Sequence, residues 1–229
     1  MSEEKKQGIE IAESIDKAEA YVHENKKSLS IIGGVIVAVI LAYFGYNQFI
    51  VKPQEENARN DMFFAEQYFA QDSFALAING DGSYPGFQEI VENYSSAPSG
   101  NLAQYYLGMS LLQKGEYENA IETLKNYDAE DDITGALALG GIAGAYVELN
   151  QLDEALSFYK KAADWDENNF SKPLFLMRMG FVNEQKKDYA SAIEIYNQIK
   201  QDYPLSSEAR DIDKYIGRAS ALGGINPAE

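Results

Sequence analysis

The sequence predicts an all-α chain in which a single N-terminal transmembrane helix is followed by a helical solenoid. Residues Leu29 to Phe49 contain no charged side chain. Further on, a small residue and an alanine twelve positions later recur as Gly108 with Ala120, Ala143 with Ala155 and Gly180 with Ala192. Successive alanines stand 35 and 37 residues apart, the period of stacked helix-turn-helix units. Such units bury their apolar faces against one another, so a run of them implies one continuous core.

Residues 1–28 read as a cytoplasmic amphipathic segment. Ile11, Ile15, Ala18 and Val22 fall on one helical face. Residues 29–50 read as the anchor. The 21 residues from Leu29 to Phe49 would span about 31 Å as a helix, against a bilayer core of roughly 30 Å. Tyr43, Phe44, Tyr46 and Phe49 gather at its far end, as interfacial aromatics do. The run is too long for a signal-peptide core and no small-residue cleavage site follows it, so an uncleaved anchor is expected. Lys5, Lys6, Lys17, Lys26 and Lys27 precede it, while only Lys52 and Arg59 follow closely, which puts the N-terminus in the cytoplasm. Gly34, Ala38 and Ala42 form a small-residue stripe that would admit a second membrane helix.

Residues 51–100 read as a linking helix and a degenerate half-repeat. Pro53 can open a long helix carrying Ala58, Met62, Ala65, Phe69 and Leu76 on one side, a semi-rigid strut packed on the first repeats. Phe87, Ile90 and Tyr94 mirror Tyr196, Ile199 and Tyr203 of the last repeat. Residues 101–204 hold three repeats, with Gly115, Asn150 and Asp188 at the turns inside them. Pro173 suits the first turn of a helix, and Pro204 follows the end of one. Residues 205–229 read as a capping helix, Ser207 to Ala221, and a tail opened by Gly223-Gly224.

The repeats resemble the tetratricopeptide repeat, in which a large residue precedes a small one, an aromatic follows three on, and an alanine, an aromatic and a proline close the unit. The residues that carry it are Leu107-Gly108, Leu111, Ala120 and Leu124; Ile142-Ala143, Tyr146, Ala155 and Tyr159; and Met179-Gly180, Asn183, Ala192, Tyr196 and Pro204. Gln104, Leu139 and Leu176 stand where the family has an early tryptophan, and Asn183 replaces an aromatic. The resemblance implies a tetratricopeptide-like solenoid whose first helices line a concave partner-binding groove. Carried onto this chain, that groove comprises Leu102, Tyr105, Met109, Leu112, Leu174, Met177 and Phe181, with a shallow middle at Gly140, Gly141 and Gly144. The family's carboxylate clamp needs several basic residues on that face, and only Arg178 stands near.

Charge excludes some partners. Residues 51–229 carry 14 basic and 29 acidic side chains, a net charge of −15, which is unsuited to nucleic acid. The chain has no cysteine, hence no disulfide or thiolate chemistry. His23, the one histidine, is expected to be solvated. Asn79 to Ser83 has the oxygen spacing of a calcium loop, but Tyr84 and Ile90 stand where glycine and glutamate are required, so it reads as a turn. The acidic runs Glu130-Asp131-Asp132 and Asp164, Asp166, Glu167 suit inter-repeat turns and helix starts. No phosphate loop or serine elbow occurs, so no enzyme and no cofactor is expected.

A cytoplasmic stub, one anchor and an acidic tetratricopeptide-like domain together are similar to the YfgM-like family, ancillary subunits of the bacterial Sec translocon. This resemblance implies the bacterial inner membrane, a periplasmic C-terminal domain, contacts with SecYEG and a PpiD-like periplasmic chaperone, and the handling of unfolded secretory proteins. A membrane-tethered scaffold of an unrelated envelope complex is the alternative.

Overall fold

The run of apolar residues after Lys26 becomes helix α1 (Lys26–Tyr46), continued by one wider, π-type turn over Asn47–Val51. The computed structural model describes residues 21–129, 131–165 and 171–225. The apolar face at Ile11, Ile15 and Ala18, the lysines Lys5, Lys6 and Lys17, and the acidic residues Glu130, Asp166 and Glu167 lie outside the described residues. The chain divides into two compact parts, Met1–Pro53 and Gln54–Glu229.

In the first part no residue of α1 is buried. Among the described residues one helix is long and apolar enough, by length and composition, to cross a membrane. Ile31, Val35 and Val39 are each more than half exposed, so this apolar surface is uncovered among the described residues.

The second part is helical throughout its described elements. After α2 (Lys52–Ala70) come α3 (Phe74–Asn79), α4 (Phe87–Asn93), α5 (Pro98–Gln113), α6 (Tyr117–Lys125), α7 (Asp132–Glu148), α8 (Leu152–Ala163), α9 (Ser171–Gln185) and α10 (Tyr189–Asp202). A short 3-10 turn, Glu208–Asp211, leads into α11 (Ile212–Gly223). Pro98 opens α5, where its missing N–H costs nothing.

The helix pairs α5–α6, α7–α8 and α9–α10 share one seam. Ala120, Ala143, Ala155 and Ala192 are fully buried. A Cβ on Gly108 would lie 2.5 Å from Leu124 Cγ, so the backbone comes closer there than alanine permits. Asn183, in place of the expected aromatic, is buried and donates from Nδ2 to the Met179 carbonyl at 3.0 Å. Its amide is satisfied by its own helix, which makes the substitution tolerable.

All three inner turns close in the same way. Gly115, Asn150 and Lys187 take left-handed φ values of 82°, 57° and 63°. The next residue then donates back across the turn, as Glu116 to Leu111, Gln151 to Tyr146 and Asp188 to Asn183, at 2.8 to 2.9 Å. The left-handed residue of the third turn is therefore Lys187, while Asp188 caps α10 by accepting from the Ser191 N–H and hydroxyl.

A fourth turn has this geometry. Asp72 has φ 55°, and the Ser73 N–H donates to the Tyr68 carbonyl at 2.9 Å. Counting back and forward from it gives Ala65 and Ala77, again twelve apart and both fully buried. Phe64 and Tyr68 occupy the large and aromatic positions. The linking helix is thus the first helix of a complete leading repeat, whose second helix is broken into α3 and α4 by the excursion Gly80–Gly86. Its base is pinched, since a Cβ on Gly86 would lie 2.2 Å from the Ile78 carbonyl oxygen. Asp81 accepts from the Ser83 and Tyr84 N–H groups and from the Tyr68 hydroxyl, each at 2.8 Å. Tyr84 stacks on Phe64, with ring centroids 3.6 Å apart. The stretch singled out by its calcium-like spacing is this turn.

Burial follows the repeat order. Met62, Ala65, Ala77, Phe87 and Ile90 pack with Ala103, Leu107 and Leu111 of α5. Ile121 and Leu124 of α6 pack with Ala138, Ile142 and Ala145 of α7. Tyr159, Ala162 and Ala163 of α8 pack with Phe175 and Val182 of α9. Tyr196 and Ile199 of α10 pack with Ile212 and Ala219 of α11, so the last helix covers the apolar end of the stack.

Candidate partner-binding groove

The first helix of each repeat presents the residues expected to form the groove. Tyr105 and Met177 are buried at 9% and 7% exposure, inside the contacts between neighbouring repeats. Leu102, Met109, Leu112, Leu174 and Phe181 are half-buried, each packed against a core cluster. Leu102, Tyr105, Met109 and Leu112 share one cluster. Met177 and Phe181 share another at the far end, and Leu174 lies in the one between.

The middle of this face is not shallow at Gly140 and Gly141. A Cβ on Gly140 would lie 2.3 Å from the Phe175 ring, and one on Gly141 would lie 2.9 Å from Met109 Sδ. The absent side chains make room for neighbouring repeats, not for a ligand. Only Gly144 is open, with the Tyr159 hydroxyl 3.8 Å from its added Cβ. At the far end, Phe181 meets Tyr215 edge-on at 5.4 Å, and the Arg218 guanidinium lies 6.0 Å from its ring centroid. Arg218 also donates to Glu184 at 2.9 Å, and Glu184 accepts from Tyr196 at 2.7 Å. Burial, then this bond to Glu184, drives the Tyr196 hydroxyl well above the ordinary tyrosine range. The groove is closed at that end by the chain's own last helix.

At the opposite end it opens. A cavity of about 380 Å³ lies between α2, α5 and the turn after α6. Met62, Leu102, Pro98 and Tyr127 give it apolar wall. Glu55, Arg59, Glu66, Ser99, Asn101 and Asp131 add polar groups.

Most of these polar groups are already committed. Glu55 caps α5, accepting from the Ser99 N–H and hydroxyl at 2.8 Å, and it pairs with Arg59 at 2.8 Å. Burial opposes its charge, but these donors together hold the carboxyl below its ordinary value. Asp131 caps α7 through Ile133 and Thr134, both N–H groups at 2.8 Å, and the Thr134 hydroxyl and N–H bonds lower its pKa. Asn101 exchanges two bonds with the Asp128 backbone, at 2.6 and 3.0 Å, which holds the turn against α5. Glu66 makes no hydrogen bond or ion pair among the described residues, and burial pushes its pKa up.

The cavity was not anticipated from the sequence. Arg59, Met62 and Glu66 precede Leu102, Tyr105 and Met109 by 43 residues each, the offset between Ala65 and Gly108. Recognising Ala65 and Ala77 as a repeat pair would have placed them on the groove. In α1, Gly34 has no atom within 4 Å of an added Cβ, and Ala38 and Ala42 are exposed. Among the described residues no group of acidic or histidine side chains is arranged to hold a metal ion.

Comparison with known proteins agrees with the repeat geometry. Models of the tetratricopeptide repeat match residues 87–132, 136–169 and 175–206. The chain is 30% identical over 119 residues to tetratricopeptide repeat protein 29 of Homo sapiens, and 28% identical over 118 residues to that of Macaca fascicularis. Each alignment covers 48% of this chain but only 25% of the relative, so the chain spans about a quarter of their length. Two crystal structures of nearly identical TPR-like repeats from a Podosopora anserina kinesin-light-chain-type protein superpose with TM-scores of 0.58 and 0.59, at 14% and 16% identity, over 74% of this chain and 88% of theirs. Over these stretches the chain carries tetratricopeptide repeats, an architecture for protein–protein interaction.

Proposed function

We propose that this chain is a single-pass protein of the bacterial inner membrane, with a cytoplasmic N-terminus and a periplasmic repeat domain, that serves as an ancillary subunit of the Sec translocon. It acts through contacts with SecYEG and a PpiD-like chaperone and handles unfolded secretory chains without catalysing a reaction or using a cofactor. The observation that carries this reading is the joining of an apolar helix with no buried residue to an acidic repeat solenoid in one chain. An apolar helix left uncovered among the described residues calls for a lipid or protein partner.

Mechanistically, the anchor docks beside the channel through the stripe Gly34, Ala38 and Ala42, and the groove engages the partner polypeptide. The test is purification of the tagged protein from native membranes in mild detergent, with mass spectrometry of what accompanies it. Stoichiometric SecYEG supports the reading, and its reproducible absence ends it. Recovery of one different envelope complex would instead establish the membrane-tethered scaffold. Ala38→Leu serves as the second arm: unchanged recovery of SecYEG would remove the docking role of the stripe.

A further inference from the structure

The open end of the groove has an unbalanced charge. Of the four charged side chains that line the cavity among the described residues, Glu55, Glu66 and Asp131 are acidic and Arg59 is basic. Arg59 is spent on Glu55, and both oxygens of Glu55 are engaged with Ser99. Asp131 directs its oxygens at the start of α7. Among the described residues Glu66 has no counter-charge, beside a Met62 that is 3% exposed and a half-buried Leu102. A carboxylate partly withdrawn from water without a partner is unfavourable, and an arriving cation relieves it.

We propose that this cavity receives a lysine or arginine side chain from an extended segment of a partner polypeptide. The charged head meets Glu66 while the aliphatic stem lies on Met62 and Leu102, the amphipathic division that long basic side chains favour. A cavity of about 380 Å³ accommodates one long side chain but not a helix. The surrounding domain, at −15, attracts basic segments and repels acidic ones. This inference rests on the partner-binding reading of the groove and gives it a chemistry: a basic residue, opposite in charge to the ligand of a carboxylate clamp.

The test is a displayed library of randomised nine-residue peptides, selected in parallel on the full-length protein in detergent and on its Glu66→Gln variant. Glu66 makes no bond that glutamine would break, and a melting curve checks that the variant folds. The expected result is enrichment of lysine or arginine at one position on the parent and not on the variant. A synthetic enriched peptide should lose at least roughly tenfold in affinity when that residue becomes norleucine. Glu194→Gln, an exposed carboxylate on α10, should leave the preference intact. Basic enrichment that survives Glu66→Gln, or that Glu194→Gln also removes, overturns the inference. Enrichment of peptides with no basic preference overturns it while leaving the groove as a binding surface. No enrichment over an empty support overturns both.

Discussion

A Cβ built on Gly180 would lie 2.1 Å from the ring of Tyr196, so α9 and α10 touch where only a glycine fits. Tyr196 is fully buried and its hydroxyl is tied to Glu184, so the ring cannot swing aside. Gly180→Ala should therefore destabilise the domain by about 1–3 kcal/mol, because overpacking outweighs the helix propensity that alanine gains. The equivalent Gly108→Ala meets the more flexible Leu124 and should cost less. Urea denaturation of both variants checks the order, and equal losses would count against the rigid-ring explanation.

Lys187 takes a left-handed φ of 63° at the turn where the first repeat has Gly115. A side chain in that region costs about 1 kcal/mol, which glycine avoids. Lys187→Gly should raise the melting temperature slightly, whereas Gly115→Lys should lower it.

The leading repeat makes its own prediction. Ala77 is fully buried at the position equivalent to Ala120, in one cluster with Ala65 and Phe87. Ala77→Leu should cost about 1–3 kcal/mol through overpacking. Because repeats contact only their neighbours, hydrogen exchange should quicken in α2 to α5 and stay unchanged in α9 to α11. Uniform loosening would argue against a separate leading repeat.

Acid should weaken the domain through its capping carboxylates. Bonds from the Tyr84 N–H and the Tyr68 hydroxyl lower Asp81, those from Thr134 lower Asp131, and those from the Ser191 hydroxyl and N–H lower Asp188. Each depressed folded pKa contributes stability that is full above the unfolded value, about 4, and is lost as pH falls through the folded value. The melting temperature should therefore hold from pH 7 to about 5 and drop below about 4. Asp131→Asn should start lower at pH 7 and lose less on acidification.

The small-residue pairs at twelve-residue spacing determined the helical solenoid from sequence alone, and the apolar run from Leu29 to Phe49 determined a helix, because each is a local pattern with a single helical interpretation. The pair Ala65 and Ala77 was equally present in the sequence. It is hidden because the excursion Gly80–Gly86 pushes Phe87, Ile90 and Tyr94 out of register, so that only their half of the repeat is legible in the sequence. The groove was less legible. A residue's place on the first helix does not say whether a neighbouring repeat fills the space in front of it, as Phe175 does at Gly140 and Tyr215 does at Phe181. Nor does sequence say which carboxylates are consumed as caps. Only the tertiary structure shows Glu55 turned to Ser99, 44 residues away, and Glu66 left without a partner among the described residues, because helix-start N–H groups and guanidinium groups claim carboxylates by proximity in space.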